Sequence, residues 1–390
     1  MARLMHVAFP LVGDHGRRFP AGLSPSWQAP DMTDIETLRL QFGSDAQAAA
    51  THTNLSAVRA EGRCLWVAGD ETATVERLVT DSATPLGSYG HQRSFALADY
   101  VDLPGPAGDE ADIEGIGRSG SYLWAVGSHS LKRKKIKAKH ADAKAIKRLA
   151  KVEDEPNRRI VVRIPVVTDE DGLPGLAREV AIDGETRTAA ALGGVGASLT
   201  DLLADDDHLG PFLKIPSKDN GFDLEGVAAV EERLYLGLRG PVLRGWAVVL
   251  EVHPYVDDDD PHVLRLRKIG PDAEPYRKHF LDLDGLGVRD LCPDGDDLLV
   301  LSGPSMDLDG PVRIHRWHHA ARTDTPQVVR DDEISRLMDL HYGEGDDHPE
   351  GLARLDDIDD RARLLVVYDS PAPHRIDDDG GILADVISLG

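Results

Sequence analysis

One short pattern recurs five times along the 390-residue chain, and an internal repeat constrains a fold more tightly than composition does. Each copy holds a polar residue, an acid or its substitute, a small residue and an apolar pair, then a turn and a short apolar strand. The first halves are Asn54-Leu-Ser-Ala-Val58, Asp112-Ile-Glu-Gly-Ile116, Asp223-Leu-Glu-Gly-Val227, Val288-Arg-Asp-Leu291 and His348-Pro-Glu-Gly-Leu352. The paired strands are Cys64–Ala68, Tyr122–Val126, Leu234–Leu238, Leu298–Ser302 and Leu364–Tyr368, each closed by a polar turn. Third strands are clearest at Arg159–Val167, Trp246–His253 and Val312–Trp317. Short strands rich in Val, Leu and Ile between Gly, Pro and Asp turns predict an all-β protein.

Spacing selects the architecture. With Ser56, Glu114, Glu225, Arg289 and Glu350 in one column, the steps are 58, 111, 64 and 61 residues. Four-stranded units of about 40–50 residues plus loops are the period of a β-propeller. The long step is read as one unit with two insertions, a basic helical one at 132–156 and a second at 184–216 with a short helix near Ser198–Asp205. Only 40 residues follow Glu350, room for three strands. A strand at Thr37–Phe42 is therefore expected to complete the last unit and close the ring. The reading is a single β-propeller domain over 1–390 with five blades; six blades, one strongly diverged, is the alternative.

Charge divides the chain into two unequal parts. The net charge is −24, yet residues 132–151 carry ten Lys or Arg and one acid, leaving −33 on the rest. Such a body repels nucleic acid and anionic membrane. Ile136, Ala143, Ile146 and Ala150 recur at helical spacing within the basic segment, and Pro156 stops its continuation. The segment reads as a solvated helix packed over one end of the propeller, or as a contact for an acidic partner. No aromatic residues interleave with its lysines, which argues against a nucleic-acid groove. The acidic runs Asp257–Asp260, Asp356–Asp360 and Asp377–Asp379 read as solvated loops. No apolar run reaches the roughly 20 residues of a membrane span. Met1–Val12 lacks the apolar core of a secretory signal. Cys64 and Cys292 are too few for a disulfide framework. These features point to a soluble cytoplasmic protein of undetermined oligomeric state.

The column carries the chemistry. Equivalent positions on the innermost strands of a propeller converge around its axis, so Glu114, Glu225 and Glu350 would meet at one end of the channel with Arg289 and Ser56. Like carboxylates held close need a compensating cation. Arg289 supplies part of that charge, and a hard divalent ion with oxygen ligands would supply the rest. Asp112, Asp223, Asn54 and His348 sit two residues earlier, on the same side of their strands. Asp70, His129, Arg239 and Asp369, in the turns after the second strands, are expected at the same mouth. The bland reading is that each Glu accepts backbone hydrogen bonds from the next blade.

Two blocks carry a resemblance: Asp112-Ile-Glu-Gly-Ile116 with Tyr122-Leu-Trp-Ala-Val-Gly-Ser-His-Ser-Leu-Lys-Arg133, and Gly221-Phe-Asp-Leu-Glu-Gly-Val-Ala228. Over about Leu38 to the C-terminus the chain resembles an uncharacterised bacterial domain-of-unknown-function family. The Asp-x-Glu-Gly pattern is more loosely similar to esterase-like phytase propellers. The Glu-Gly step is similar to the calcium-dependent gluconolactonase and regucalcin type, in which an inner-strand Glu binds the metal. That resemblance implies calcium and places the ligand role on Glu114, Glu225 or Glu350. The Glu-Gly-Pro-x-Trp string usual in the lactonases is missing.

Other motifs carry little. Gly115-Ile-Gly-Arg-Ser-Gly120 fits a dinucleotide fingerprint but precedes a strand, so it reads as a turn between repeat strands. Asp307-Leu-Asp-Gly310 is a fragment of a calcium loop without its distal Glu. His315, His318 and His319 have the wrong spacing on a strand for a zinc site and read as surface packing. The expectation is a metal-dependent hydrolase of a phosphoester, ester or lactone with a central acidic site. Glu114, Glu225, Glu350, Asp112 and Asp223 are its metal candidates, and Glu225, Arg289, His129 and Arg239 its catalytic ones. The alternative is a non-catalytic module that holds a small anionic molecule or a protein partner.

Overall fold

The computed structural model describes residues 35–389 apart from 83–84, 183, 194–196 and 359–360, with the side chains of 356–361 also outside the description. The stretch read for a secretory signal and the end of the Asp356–Asp360 run therefore lie outside the described residues.

The chain is all-β, built from several sheets. Twenty of the described strands fall into five antiparallel groups of four, the first and fifth joined in one eight-stranded sheet by a short parallel pairing of Arg39 and Leu40 with Ser88 and Tyr89. The first is Leu55–Glu61, Cys64–Gly69, Thr74–Thr80 and Ser88–Ala96. The second is Ile113–Ser119, Tyr122–Gly127, Val161–Thr168 and Ala190–Leu192. Asp223–Val230, Arg233–Leu243, Trp246–Val252 and Arg277–Asp282 make the third. Gly287–Asp294, Asp297–Gly303, Val312–Trp317 and Ile334–Leu340 make the fourth. The fifth takes His348–Ile358, Arg361–Asp369 and Gly381–Leu389 from the C-terminus and Ile35–Gln41 from the N-terminus. That strand runs antiparallel to Gly381–Leu389, from Ile35 opposite Ile387 to Gln41 opposite Gly381. The strand expected at Thr37–Phe42 is thus present at Ile35–Gln41 and adds a fourth strand to the last group.

Burial explains why the second strands read as continuous apolar runs instead of alternating ones. Cys64–Gly69 is buried throughout, as a strand covered on both faces must be. Both faces are covered because each hydrophobic cluster is shared by two adjacent groups. Trp66 and Phe95 pack with Ile116 and Leu123; Trp124 and Val161 pack with Val227 and Leu236. Tyr235 and Val249 meet Leu291 and Trp317, and Leu299 and Ile314 meet Leu352 and Val366. Val58 and Leu65 return to Ala353 and Val386. The first strands likewise touch one another in a closed cycle.

The Glu-Gly step of the repeat is a packing requirement. A Cβ on Gly115 would lie 2.8 Å from Val227, and one on Gly226 would lie 2.7 Å from the Asp290 Cα. Gly115 and Gly117 stand inside the Ile113–Ser119 strand. Only Gly120 turns the chain, at φ 53°, so the dinucleotide-like string is mostly strand.

Other expectations shift. The basic insertion is helical only over Asp142–Leu149, above a short ladder of Lys132–Arg133 with Val152–Glu153. That helix buries none of its residues, so it is not packed onto the sheets. Within 184–216, Leu199–Leu202 is a short helix capped by Ser198, and Ala190–Leu192 is the fourth strand of its group. His315 is buried, not on the surface, 3.3 Å from the Ser302 hydroxyl, and burial lowers its pKa to about 4. Asp377 and Asp379 pair with Arg39 instead of being free. Among the described residues no helix is long and apolar enough to cross a membrane, which leaves β-barrels unaddressed.

Candidate functional site

The column of the repeat is also a column of β-bulges. In all five first strands the register slips around the column residue. The pairing jumps from Leu55 to Ala57, Ile113 to Gly115, Leu224 to Gly226, Val288 to Asp290 and Pro349 to Gly351. Ser56, Glu114, Glu225, Arg289 and Glu350 are thus the extra residues, freed from the ladder. A bulge re-aims the side chain it carries, and a strand's strict alternation no longer applies there.

The bulges open onto a cavity of about 670 Å³ whose lining includes Asp70, Asp112, Glu114, Asp223, Glu225, Arg239, Glu350 and Asp369. The expected convergence is present in space. Arg239 donates to Glu225 at 2.7 Å and lies 4.0 Å from Asp223. Arg289 sits 3.5 Å from Glu225 and also pairs with Glu350. Ser56 does not join the charges; its hydroxyl ties the backbone of Ile113 in the next first strand. His129 is outside the lining: it is buried with Nδ1 2.8 Å from the Gly127 carbonyl, and burial holds its pKa down at about 4.

Two residues that the repeat does not reveal complete the arrangement. Arg158, beyond the basic insertion, pairs with Asp112 at 2.7 Å, Glu110 at 2.5 Å and Glu155 at 2.6 Å. Arg59 lies among the first strands of four groups. It meets both oxygens of buried Asp290 at 2.9 Å. It also donates to the carbonyls of Val58, Leu352, Val227 and Leu291 at 2.5–2.7 Å. Those carbonyls lie two residues past the column in four of the five first strands. Asp290 in turn accepts from the N–H groups of Leu291 and Leu352 at 2.7 and 2.8 Å. One ion pair thereby satisfies inner-edge backbone groups that have no further strand to pair with.

Charge in the mouth is incompletely balanced. Twelve acidic and eight basic residues line the cavity, and the balance fails at two particular carboxyls. Glu114 has no hydrogen-bond donor or paired cation among the described residues, and Asp70 Oδ1 is buried without a partner. Burial, then Asp112, Glu225, Glu350 and Asp70, hold the Glu114 carboxyl well above the usual carboxylate range. Burial and then Asp369 and Asp112 push Asp70 up to about 8. Glu350 rises to about 7, by burial first, against the pull of Arg289. Asp112 and Asp223 are also raised by burial, opposed by Arg158 and Arg239 respectively.

The expected divalent ion can be set against these donors. Asp112, Asp223, Glu225 and Glu350 are engaged by arginines, which leaves Glu114 as the one uncommitted residue of the five metal candidates, with Asp70 beside it. Among the described residues no three His, Cys, Asp or Glu side chains stand together as a metal-holding group. The donor set as arranged does not fit a resident ion, and no step below is routed through one.

The architecture and its mouth define a propeller-like all-β protein with a polar cavity. The chain belongs to the family described as "Protein of unknown function (DUF3616)", whose model matches residues 54–385. A search of the curated proteins found no match. Among solved structures it is similar to Kuenenia stuttgartiensis hydrazine synthase, at 9% identity and TM-score 0.31, covering 81% of this chain and 56% of that one. It is also similar to a putative 6-phosphogluconolactonase from Bacteroides uniformis, at 13% identity and TM-score 0.28, covering 85% of this chain and 70% of that one. YCF48 bound to D1 peptide is similar at 8% identity and TM-score 0.28, covering 90% and 71%. The chain spans only about half of the first of these, and likenesses this remote carry no argument about activity.

Proposed function

We propose that the chain is a five-bladed β-propeller hydrolase whose axial mouth cleaves a small ester or lactone. The observation that carries this reading is the pairing of unlike carboxyls in one cavity. Glu114 and Asp70 have no compensating cation; burial and the acidic neighbours raise Glu114 well above the usual carboxylate range and Asp70 to about 8, while Glu350 rises to about 7 beside Arg289. Carboxyl groups whose environments push them apart divide into acid and base roles. Glu350 would take a proton from water as its oxygen attacks the acyl carbon. Glu114, with Asp70 beside it, would give a proton to the departing alkoxide. Arg239 and Arg289 would steady the negative charge between those events, with Glu225 positioning both. The acid surplus of the lining favours a carboxylic ester or lactone over a phosphoester, whose own charge it would repel.

A second reading, a non-catalytic module holding a small ligand or protein partner at the same mouth, draws on the arginine–carboxylate pairs that tie adjacent groups together. Glu114→Gln, which breaks no ion pair among the described residues, separates the two. A hydrolase loses turnover on a panel of esters, lactones and phosphoesters while its melting temperature changes little. A scaffold shows no turnover in either form.

A further inference from the structure

Two exposed patches of opposite charge flank the mouth, and each carries apolar side chains that nothing covers. One is the 132–153 arm. Its root is neutralised: Lys132 pairs with Glu110, Arg133 with Asp219, and Lys134 and Lys151 with Glu153. Its outer lysines, Lys135, Lys137, Lys139, Lys144 and Lys147, have no acidic partner among the described residues. Between them Ile146 is 67% and Leu149 48% exposed. The other patch is the loop Pro304–Gly310, where Met306 and Leu308 are 42% and 63% exposed beside Asp307 and Asp309. Large apolar groups left uncovered in a charged setting mark a contact surface.

The two patches are neighbours. The Ser217–Asp219 turn touches both, through Asp219 to Arg133 at 2.7 Å and Lys218 to Asp307 at 3.7 Å. Ile136, Leu149 and Asp307 line the one cavity. Both are also tied to the site. Arg239 donates to the carbonyls of Pro304 and Met306 at 3.3 Å while holding Glu225. The root of the arm reaches Asp112 through Lys132, Glu110 and Arg158.

We infer that the basic arm is a lid which closes over the mouth onto the acidic loop 304–310 of the same chain. Closure covers Ile146 and Leu149 with Met306 and Leu308 and gives the free lysines Asp307 and Asp309 as partners. It would also shut out bulk water while retaining the water held at Glu350, so that electrostatic contacts among the carboxyls beneath strengthen. The inference rests on the mouth being the functional site, but its test reads geometry alone.

The test is crosslinking of the full chain carrying Leu149→Cys and Leu308→Cys with a short bis-maleimide; native Cys64 and Cys292 are buried. The expected result is an intramolecular crosslink at least ten-fold faster than in a Leu308→Cys/Ile376→Cys control. It should slow several-fold in 1 M salt, where the screening length falls to about 3 Å, and in Lys144→Glu/Lys147→Glu. A rate no faster than the control overturns the lid. A crosslink formed only between two chains also overturns it and assigns the patches to self-association. Crosslinking that succeeds in a protein without turnover keeps the lid and removes only the hydrolase.

Discussion

Replacing Arg59 by Met should be among the most damaging single changes in the molecule. The substitution removes two charge-assisted bonds to Asp290 and four to carbonyls of the first strands. Asp290, fully buried, would keep only two backbone donors and lose its cation. Breaking a buried ion pair by removing one partner costs about 3–5 kcal/mol, because the remaining charge stays buried. With an m-value of about 3 kcal/mol/M in urea, the unfolding midpoint falls by roughly 1–1.7 M. The double variant Arg59→Met/Asp290→Leu removes the stranded charge as well and should recover about half of that loss, leaving the unsatisfied carbonyls as the residue. Urea titrations followed by tryptophan fluorescence measure all three proteins. A loss below about 1 kcal/mol in the single variant, or a double variant worse than the single, would refute this role for the Arg59–Asp290 pair.

Three more outcomes follow from the same geometry. Asp70 and Glu350 have folded pKa values, about 8 and about 7, raised above their unfolded ones. Their contribution is present below the unfolded value near 4 and lost as pH rises through the folded values, so the melting temperature should fall between pH 5 and 9. Asp70→Asn should flatten that fall, and a steeper or unchanged slope contradicts it. Gly226→Ala places a methyl group against Asp290 and Leu291 backbone atoms at 2.7 and 2.8 Å and should cost about 1–3 kcal/mol in a chemical melt. Calcium or manganese should leave the melting temperatures of the wild type and of Glu114→Gln unchanged, and a rise in the wild type that Glu114→Gln abolishes would contradict the misfit of these donors to an ion.

Much of the architecture is written in the chain because its units repeat. The apolar second strands, the column and the strand that joins the last group could be read from spacing, since each copy obeys the same burial. The bulges could not. A bulge is a mismatch between two strands, and a single strand's sequence does not record which partner residue it opposes. Arg59 stands where the other copies have Gly117, Ala228, Cys292 and Ala353, and nothing in the repeat singles it out; only the closed cycle of first strands brings four carbonyls to it. Arg158 lay outside the repeat altogether. His129 was misplaced because a turn residue at φ 57° is directed by its backbone, not by its distance from the column.

The account stands most directly on turnover at the mouth. Initial rates on matched panels of carboxylic esters, lactones and phosphomonoesters, for wild type and for Glu114→Gln melting at a similar temperature, measure it. The account predicts hydrolysis of at least one ester or lactone, reduced about 100-fold or more in Glu114→Gln by loss of the proton donor. No hydrolysis anywhere on the panel, or equal rates in the two proteins, would contradict it.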